Sequence, residues 1–306
     1  MSDRIHLNIY RDWKGLNMGN SWWKNHYYSN MEDVEEMDQF QGWLHFLDID
    51  TNPTITNTYN QDAGIDGSRF EYNVLSKTPI KLSFYFEFTD YEDYINKKHD
   101  VQSYFAAKAG FVIGTSFHPN IHACGYVSKV DIKPTSDHIA IFDVTMDNAL
   151  GMWYSNGTKF MENNWSNDMF YDLRMPTNFK GVPSWRLKPG NNKIFIGGDV
   201  MSQLTNPIMD CNIYLYSVGD NVKVINHTSN TTLEANPRDY DGDLVWMNLN
   251  LGKLIDVDPK SHKITYKPFN EVSNSLDFWM DPGWNDIEVQ GCDGGYLDTR
   301  FYYTNI

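Results

Sequence analysis

The chain has 306 residues, 41% hydrophobic and 21% charged, a globular composition and not a disordered one. Its 25 basic and 40 acidic residues give a formal charge of −15, with 12 basic against 21 acidic in residues 1–150 and 13 against 19 in the rest, so no basic stripe is available to grip nucleic acid. Cys124, Cys211 and Cys292 are too few and scattered for a disulfide framework, and no apolar run approaches the ~18 residues of a membrane span.

These features, with an N-terminus lacking the basic start and apolar run of a signal peptide, lead to the expectation of a chain made in a reducing cytosol with no membrane partner. Asn156, Asn164, Asn226 and Asn230 lie in glycosylation sequons, which mean little without such a signal.

Residues 5–10 read as a short first strand with Ile5, Leu7 and Ile9 on one face. An aromatic, polar loop follows, and then MEDVEEMDQF, read as a helical turn with a thin apolar face. GWLHFLDIDTNPTIT is a strand ended by Asn52-Pro53. Asp66-Gly67 marks a turn between two extended stretches.

Residues 80–110 are the clearest segment. In IKLSFYFEF, Ile80, Leu82, Phe84, Phe86 and Phe88 alternate with Lys81, Ser83, Tyr85 and Glu87, the pattern of a strand with one buried face. Thr89 and Glu92 have capping-box spacing. Tyr91, Tyr94, Ile95, Val101 and Phe105 recur near a 3.6-residue period, and Gly110 is read as the left-handed stop. No other part of the chain reads as a long helix.

Strands are expected at 111–113, 125–132 and 138–146, the last apolar on both faces at its start, as suits an interior strand. One helix among these strands makes an α+β module ending near Tyr154. Residues 156–191, punctuated by Asn, Pro and Gly and carrying Trp165, Phe170 and Trp185, read as a linker or an extended arm that packs on something. Short strands at 193–196, 211–216, 222–225, 244–249, 263–266, 276–280, 286–289 and 296–303 then suggest a sandwich.

Chemistry-bearing patterns are sparse. His118, His122 and Cys124 are residue types that zinc accepts, but Pro119 removes the helix that would align the two imidazoles, and ordinary loop and strand residues are the plainer reading. Asp239, Asp241 and Asp243 begin like a calcium loop, yet Gly242 precedes the third carboxylate and Asn250 stands where a glutamate is required, so a solvated turn is preferred. There is no nucleophile elbow, HExxH or Walker loop. The expectation is no catalytic residue, no cofactor and no metal.

Taken in order, LHFLDIDTNPTI, the Asp66-Gly67-Ser68 turn, IKLSFYFEF, the helix DYEDYINKKHDVQSYFA, the pair YVSKVDIKP and HIAIFDVTM, and the closing NALGMWYS resemble the distal tail protein (Dit) family of long-tailed phages that infect Gram-positive bacteria. KIFIGGDVMSQLTNPIMDCNIYL resembles that family's entry into its second domain, and MDPGWNDIEVQG with YLDTRFYY its terminal strands. The resemblance covers roughly residues 43–155 and 192–303; the aromatic stretch at 22–28 and the segment 156–191 depart from it.

It implies a mainly β protein with three parts. Residues 1–155 would be a belt domain, a split β-barrel with one helix; 156–191 would be the linker or arm; 192–306 would be a galectin-like β-sandwich. It also implies a non-enzymatic virion protein of the tail tip, assembled in the host cytoplasm. A homohexameric ring would join the tail tube protein to the tail-associated hub and to receptor-binding or baseplate proteins. DNA would be only passing cargo, repelled by an acidic lumen for which the net −9 of residues 1–150 is the motive. The rival class is a soluble carbohydrate-binding protein, since aromatics are abundant; the helix-bearing module, which a lectin does not require, separates the two.

Overall fold

In the computed structural model the described residues are 5–12, 31–61, 63, 66–176, 179, 181–204, 209–216, 221–235, 245–248, 253–257, 264–268, 272–273 and 278–306. The chain divides into two compact units, Met1–Tyr154 with Tyr303–Ile306, and Ser155–Tyr302.

The first unit contains β1 (Leu7–Asp12), β2 (Glu32–Asp33), β3 (Leu44–Thr51), β4 (Ile55–Asn60), β5 (Arg69–Leu75), β6 (Thr78–Glu87), helix α1 (Tyr91–Phe105), β7 (Gly110–Thr115), β8 (His118–Pro134), β9 (Ile139–Asn148) and β10 (Trp153–Ser155). Seven of these strands run in the order β2-β1-β7-β8-β9-β6-β3, and β10 joins through β8. The alternating segment is the middle of that sheet: β6 pairs β3 on one side and β9 on the other. Ile80, Leu82, Phe84 and Phe86 are fully buried and Phe88 nearly so. At about 1.5–3 kcal/mol per buried side chain, this one face contributes on the order of 10 kcal/mol before entropy is subtracted.

Helix α1 closes that apolar layer. Its Tyr94 stacks against Phe86 (6.2 Å between centroids), and Phe105 packs on Phe84 (5.5 Å) and Phe111 (5.9 Å). Three expectations for this helix are corrected. Its cap is Asp90, not Thr89, and the partner is Asp93, not Glu92: the Asp90 carboxylate accepts from the Asp93 amide at 2.9 Å. It stops at Phe105 with Ala106 as C-cap, whereas Gly110 opens β7. Of the expected buried stripe, Tyr91 is 75% and Ile95 42% exposed, while Tyr104, outside the stripe, is buried. The segment read as a helical turn holds β2 and turns, in which Val34, Met37 and Phe40 are buried.

The second unit opens with two six-residue helices, α2 (Thr158–Asn163) and α3 (Asn167–Asp172), in the segment expected to be a linker or arm. Trp185 in that segment is fully buried and donates its indole N–H to the Phe195 carbonyl at 2.8 Å. Strands follow as β11 (Arg186–Leu187), β12 (Gly190–Ile196), β13 (Ser202–Gln203), β14 (Cys211–Tyr216), β15 (Val222–Asn226), β16 (Thr231–Ala235), β17 (Val245–Asn248), β18 (Lys253–Val257), β19 (Ile264–Pro268), β20 (Val272–Ser273), β21 (Trp279–Met280), β22 (Gly283–Gln290), β23 (Gly294–Thr299) and β24 (Tyr302–Tyr303). Eleven of them form a six-stranded sheet, β11-β23-β14-β17-β18-β19, and a five-stranded one, β12-β22-β15-β16-β20, all of whose pairings are antiparallel, and β13 and β21 pair separately.

A buried polar group stabilises this unit. Arg300, 4% exposed, donates to the Asp210 carboxylate (3.3 Å) and to the Ser155 carbonyl (3.0 Å), and Asn212 donates to the other Asp210 oxygen (2.8 Å). A buried charge is tolerated only when it is hydrogen-bonded and paired in this way.

Candidate assembly surface

The residues singled out for metal chemistry do not make a site. His118, His122 and Cys124 lie along β8, where His118 pairs Thr115, His122 pairs Gly114 and Cys124 pairs Val112. Pro119 falls within the register shift between the first two of these pairings, where no ladder N–H is needed, which is why a strand accommodates it. Gly114 leaves room for the buried His122 ring, since a Cβ there would stand 3.0 Å from Nδ1. Among the described residues no three His, Cys, Asp or Glu side chains converge as metal ligands. None of the three cysteines is in a disulfide. Asp239, Asp241, Asp243 and residues 22–28 lie outside the described residues. Asn226, one of the sequon residues, is fully buried and holds the Trp279 carbonyl and Asn285.

What the first unit does present is exposed apolar surface in two places. The first is the hairpin of β4 and β5, a separate two-stranded sheet. Ile55, Tyr59, Phe70, Tyr72 and Val74 are all between 50% and 57% exposed. Thr56 and Thr58 lie opposite Val74 and Tyr72, and beyond a bulge Tyr59 and Phe70 meet edge to face at 6.0 Å. A two-stranded hairpin is marginal in water by itself. This one is held at its base, where the Ser76 amide donates to Thr54 O (2.8 Å) and the hydroxyls of Thr56 and Ser76 meet at 2.5 Å. Gly151, at φ +68°, passes so close that a Cβ would fall 2.3 Å from the Ser76 carbonyl oxygen, so only glycine fits there.

The second place is the outward face of the large sheet. His45, Tyr85, Ile141 and Lys133 form one cross-strand row over β3, β6, β9 and β8. His45 stacks on Tyr85 at 4.7 Å, and Ile141 (48%) and Ile139 (37%) are exposed beside them. Ion pairs surround this ledge: Lys81–Asp143 at 3.0 Å, Lys77–Asp147 at 2.9 Å and Lys129–Asp131 at 3.2 Å. Hydrogen bonding from Lys129, then its charge, holds the Asp131 carboxyl below the usual range. The arrangement has no nucleophile with an adjacent base; it is an apolar strip in a charged frame, the composition of a contact surface.

Sequence reading marks the turn between β4 and β5 but not the exposure of the hairpin. Phe70, Tyr72 and Val74 alternate like a buried face, and what distinguishes them is that, among the described residues, β4 and β5 pair only with each other.

No family model matches the chain, and no curated protein matches it. Among solved structures it is similar to the Dit protein of phage SPP1, described as a paradigm of the hub adsorption apparatus in phages infecting Gram-positive hosts. The identity is 9%, the match covers 96% of this chain and 99% of that one, and the TM-score is 0.54. Chains of the phage p2 baseplate in its activated conformation, with strontium and with calcium, match at 13% and 12% identity over 99% of each chain, with TM-scores of 0.35 and 0.36. The mainly β fold with several antiparallel sheets is a Dit-like fold.

Proposed function

We propose that this chain is a non-enzymatic structural protein of a phage tail tip, a distal tail protein whose copies close into a homohexameric ring between the tail tube and the baseplate. The observation that carries this reading is the likeness to SPP1 Dit over nearly the whole of both chains. The first unit supplies the physical support. A closed ring needs a head-to-tail contact between two different patches of the same surface. The β4–β5 hairpin and the Tyr85–Ile141 ledge are two such patches. Covering a half-exposed aromatic of the hairpin is worth on the order of 1 kcal/mol.

The tail tube, the tail-associated hub and receptor-binding or baseplate proteins are the neighbours this reading assigns, and the place is the virion tail tip after assembly in the host cytoplasm. Passing DNA would be kept from sticking by an acidic lumen. Mass photometry with negative-stain imaging tests the ring: six-fold particles are expected from the purified chain. Phe70→Asp with Tyr72→Asp should release monomers whose circular dichroism is unchanged. A wild-type chain that stays monomeric at micromolar concentration overturns the ring, and rings that survive the double substitution remove the hairpin from it.

A further inference from the structure

The outward face of the five-stranded sheet in the second unit carries a half-exposed tryptophan among charged groups. Trp284, on β22, is 47% exposed. It is not a loose side chain. Phe179 lies nearly parallel against it (5.8 Å between centroids, 29° between planes), and Phe195, its cross-strand partner, meets it edge-on at 5.4 Å. The indole is thereby held in one orientation with its remaining surface in water.

The polar groups beside it are set by the strand period. Asp286 follows Trp284 on the same face, roughly 7 Å along the strand. Lys193 stands opposite Asp286 on β12. Glu288 is next along β22, with the His227 ring 2.9 Å from its carboxylate. The backbone under them is pinned, because the His227 amide donates to Asp286 O (2.9 Å) and the Asp286 amide donates to the Thr228 hydroxyl (2.9 Å). Asp286 and Lys193 thus flank the fixed aromatic plane within reach of one sugar ring, and Glu288 with His227 stands roughly 7 Å further along the strand, where a second ring of the same chain would lie.

We propose that this face is a binding site for a neutral oligosaccharide, with one pyranose ring laid on the exposed surface of Trp284, its hydroxyls exchanged onto Asp286 and Lys193, and the next ring reaching His227 and Glu288. A pyranose has one face of C–H bonds, which packs on the electron-rich plane of an indole, and a rim of hydroxyls that require hydrogen-bonding partners. The resident ion pairs yield to those hydroxyls at low cost. Lys193–Asp286 is long (3.9 Å), and both side chains are mostly exposed. Pairs of this kind are worth little in water.

Charge selects the ligand class. Lys193 is balanced by Asp286 and Lys223 by Glu234, so the face offers no net attraction to an anionic polymer. One aromatic in such surroundings is also far smaller than the apolar patch a protein partner needs. Because the ring is immobilised before the ligand arrives, little ordering is lost on binding. The inference stands on the second unit alone and does not depend on the ring.

The test is saturation-transfer NMR on the full chain with neutral trisaccharides of glucose, galactose and N-acetylglucosamine, and with poly(glycerol phosphate) as the anionic probe. At least one neutral sugar is expected to receive saturation. Trp284→Ala should weaken it at least tenfold, and Trp284→Tyr, which keeps a π face, should retain it within a few-fold. Tyr171→Ala, which removes the 77% exposed aromatic of α3, should leave it unchanged. A well-dispersed spectrum for each variant separates lost binding from lost folding. No transfer from any neutral sugar, undiminished binding by Trp284→Ala, or preference for the anionic polymer overturns the proposal.

Discussion

Asp90 caps the α1 helix at the amide of Asp93, and the Asp93 side chain in turn ties down the residue before the cap. The Asp90 carboxylate accepts from the Asp93 amide at 2.9 Å, while the Asp93 carboxylate turns back to the Thr89 amide, also at 2.9 Å, and takes the Lys97 ammonium at 3.0 Å. The Asp93 amide is one of those left over at the helix start, and the Thr89 amide belongs to the residue before the cap; the capping pair sits one residue along from the expected one.

Asp90→Ala should therefore cost about 1 kcal/mol of unfolding free energy in urea titration. Thr89→Ala, which leaves the Asp90 cap intact, should cost clearly less. Hydrogen bonding from the Thr89 backbone, followed by that from Lys97, lowers the Asp93 pKa below its ordinary 3.8. Its contribution is present above that ordinary value and is lost as pH falls through the lower folded value. Asp93→Asn should destabilise the wild type near neutrality, with the difference closing below about pH 4.

The type and place of β6 and α1 are legible in the sequence because both periods are long and clean. The frame of the cap is not, because Thr89 and Asp90 are both good capping residues and the winner depends on which reaches the third amide. Tyr91 and Ile95 stay in water because, at about 100° per residue, they are turned to one side of the stripe of Tyr94, Val101 and Phe105 that is buried. Trp284 was missed as a surface residue for a related reason: a strand expected to begin at Asp286 begins at Gly283, so the alternation that turns Trp284 outward is visible only from the register with β12. Thr231–Ala235 and Lys253–Val257 are strands beyond those read from the sequence, although Asn236-Pro237 and Asp258-Pro259 follow them as turn signals; at five residues each they are too short for a clear period.

Arg300 should be costly to truncate. Arg300→Ala leaves the Asp210 carboxylate buried without its cation and is expected to lose about 3–5 kcal/mol. Pairing it with Asp210→Asn should recover part of the loss. A double-mutant cycle in denaturant gives the coupling, and additive losses would show that the ion pair carries none of the stability.

Asp298 should respond to pH in the opposite sense from Asp93. Burial, and then the nearby Asp210 charge, raises its pKa above 3.8 despite Arg300. An acid whose folded pKa is raised is most favourable to folding at low pH, and that contribution is lost as pH rises through the folded value. Asp298→Asn is therefore expected to raise the Tm relative to wild type at pH 8, with the advantage shrinking as pH approaches 4.

Gly151→Ala should loosen the base of the β4–β5 hairpin. Its backbone is left-handed and the new methyl would strike the Ser76 carbonyl, so a loss of about 1–3 kcal/mol is expected. Limited proteolysis should then cut first within residues 55–75. Unchanged resistance there would mean that the strain is absorbed elsewhere.

The last four residues, Tyr303–Ile306, belong to the first unit, and Asn305 accepts a hydrogen bond from the Thr51 hydroxyl. In connectivity, residues 155–302 are a cassette inserted into a host domain whose two pieces flank it. A stop codon before Tyr303 would damage the host and not only the guest. A gene fragment coding for residues 155–302 is not a free-standing cassette at its ends, because each junction falls inside a strand, β10 (Trp153–Ser155) and β24 (Tyr302–Tyr303). Engineering of this chain should therefore place its joints outside those two strands and keep each of them whole.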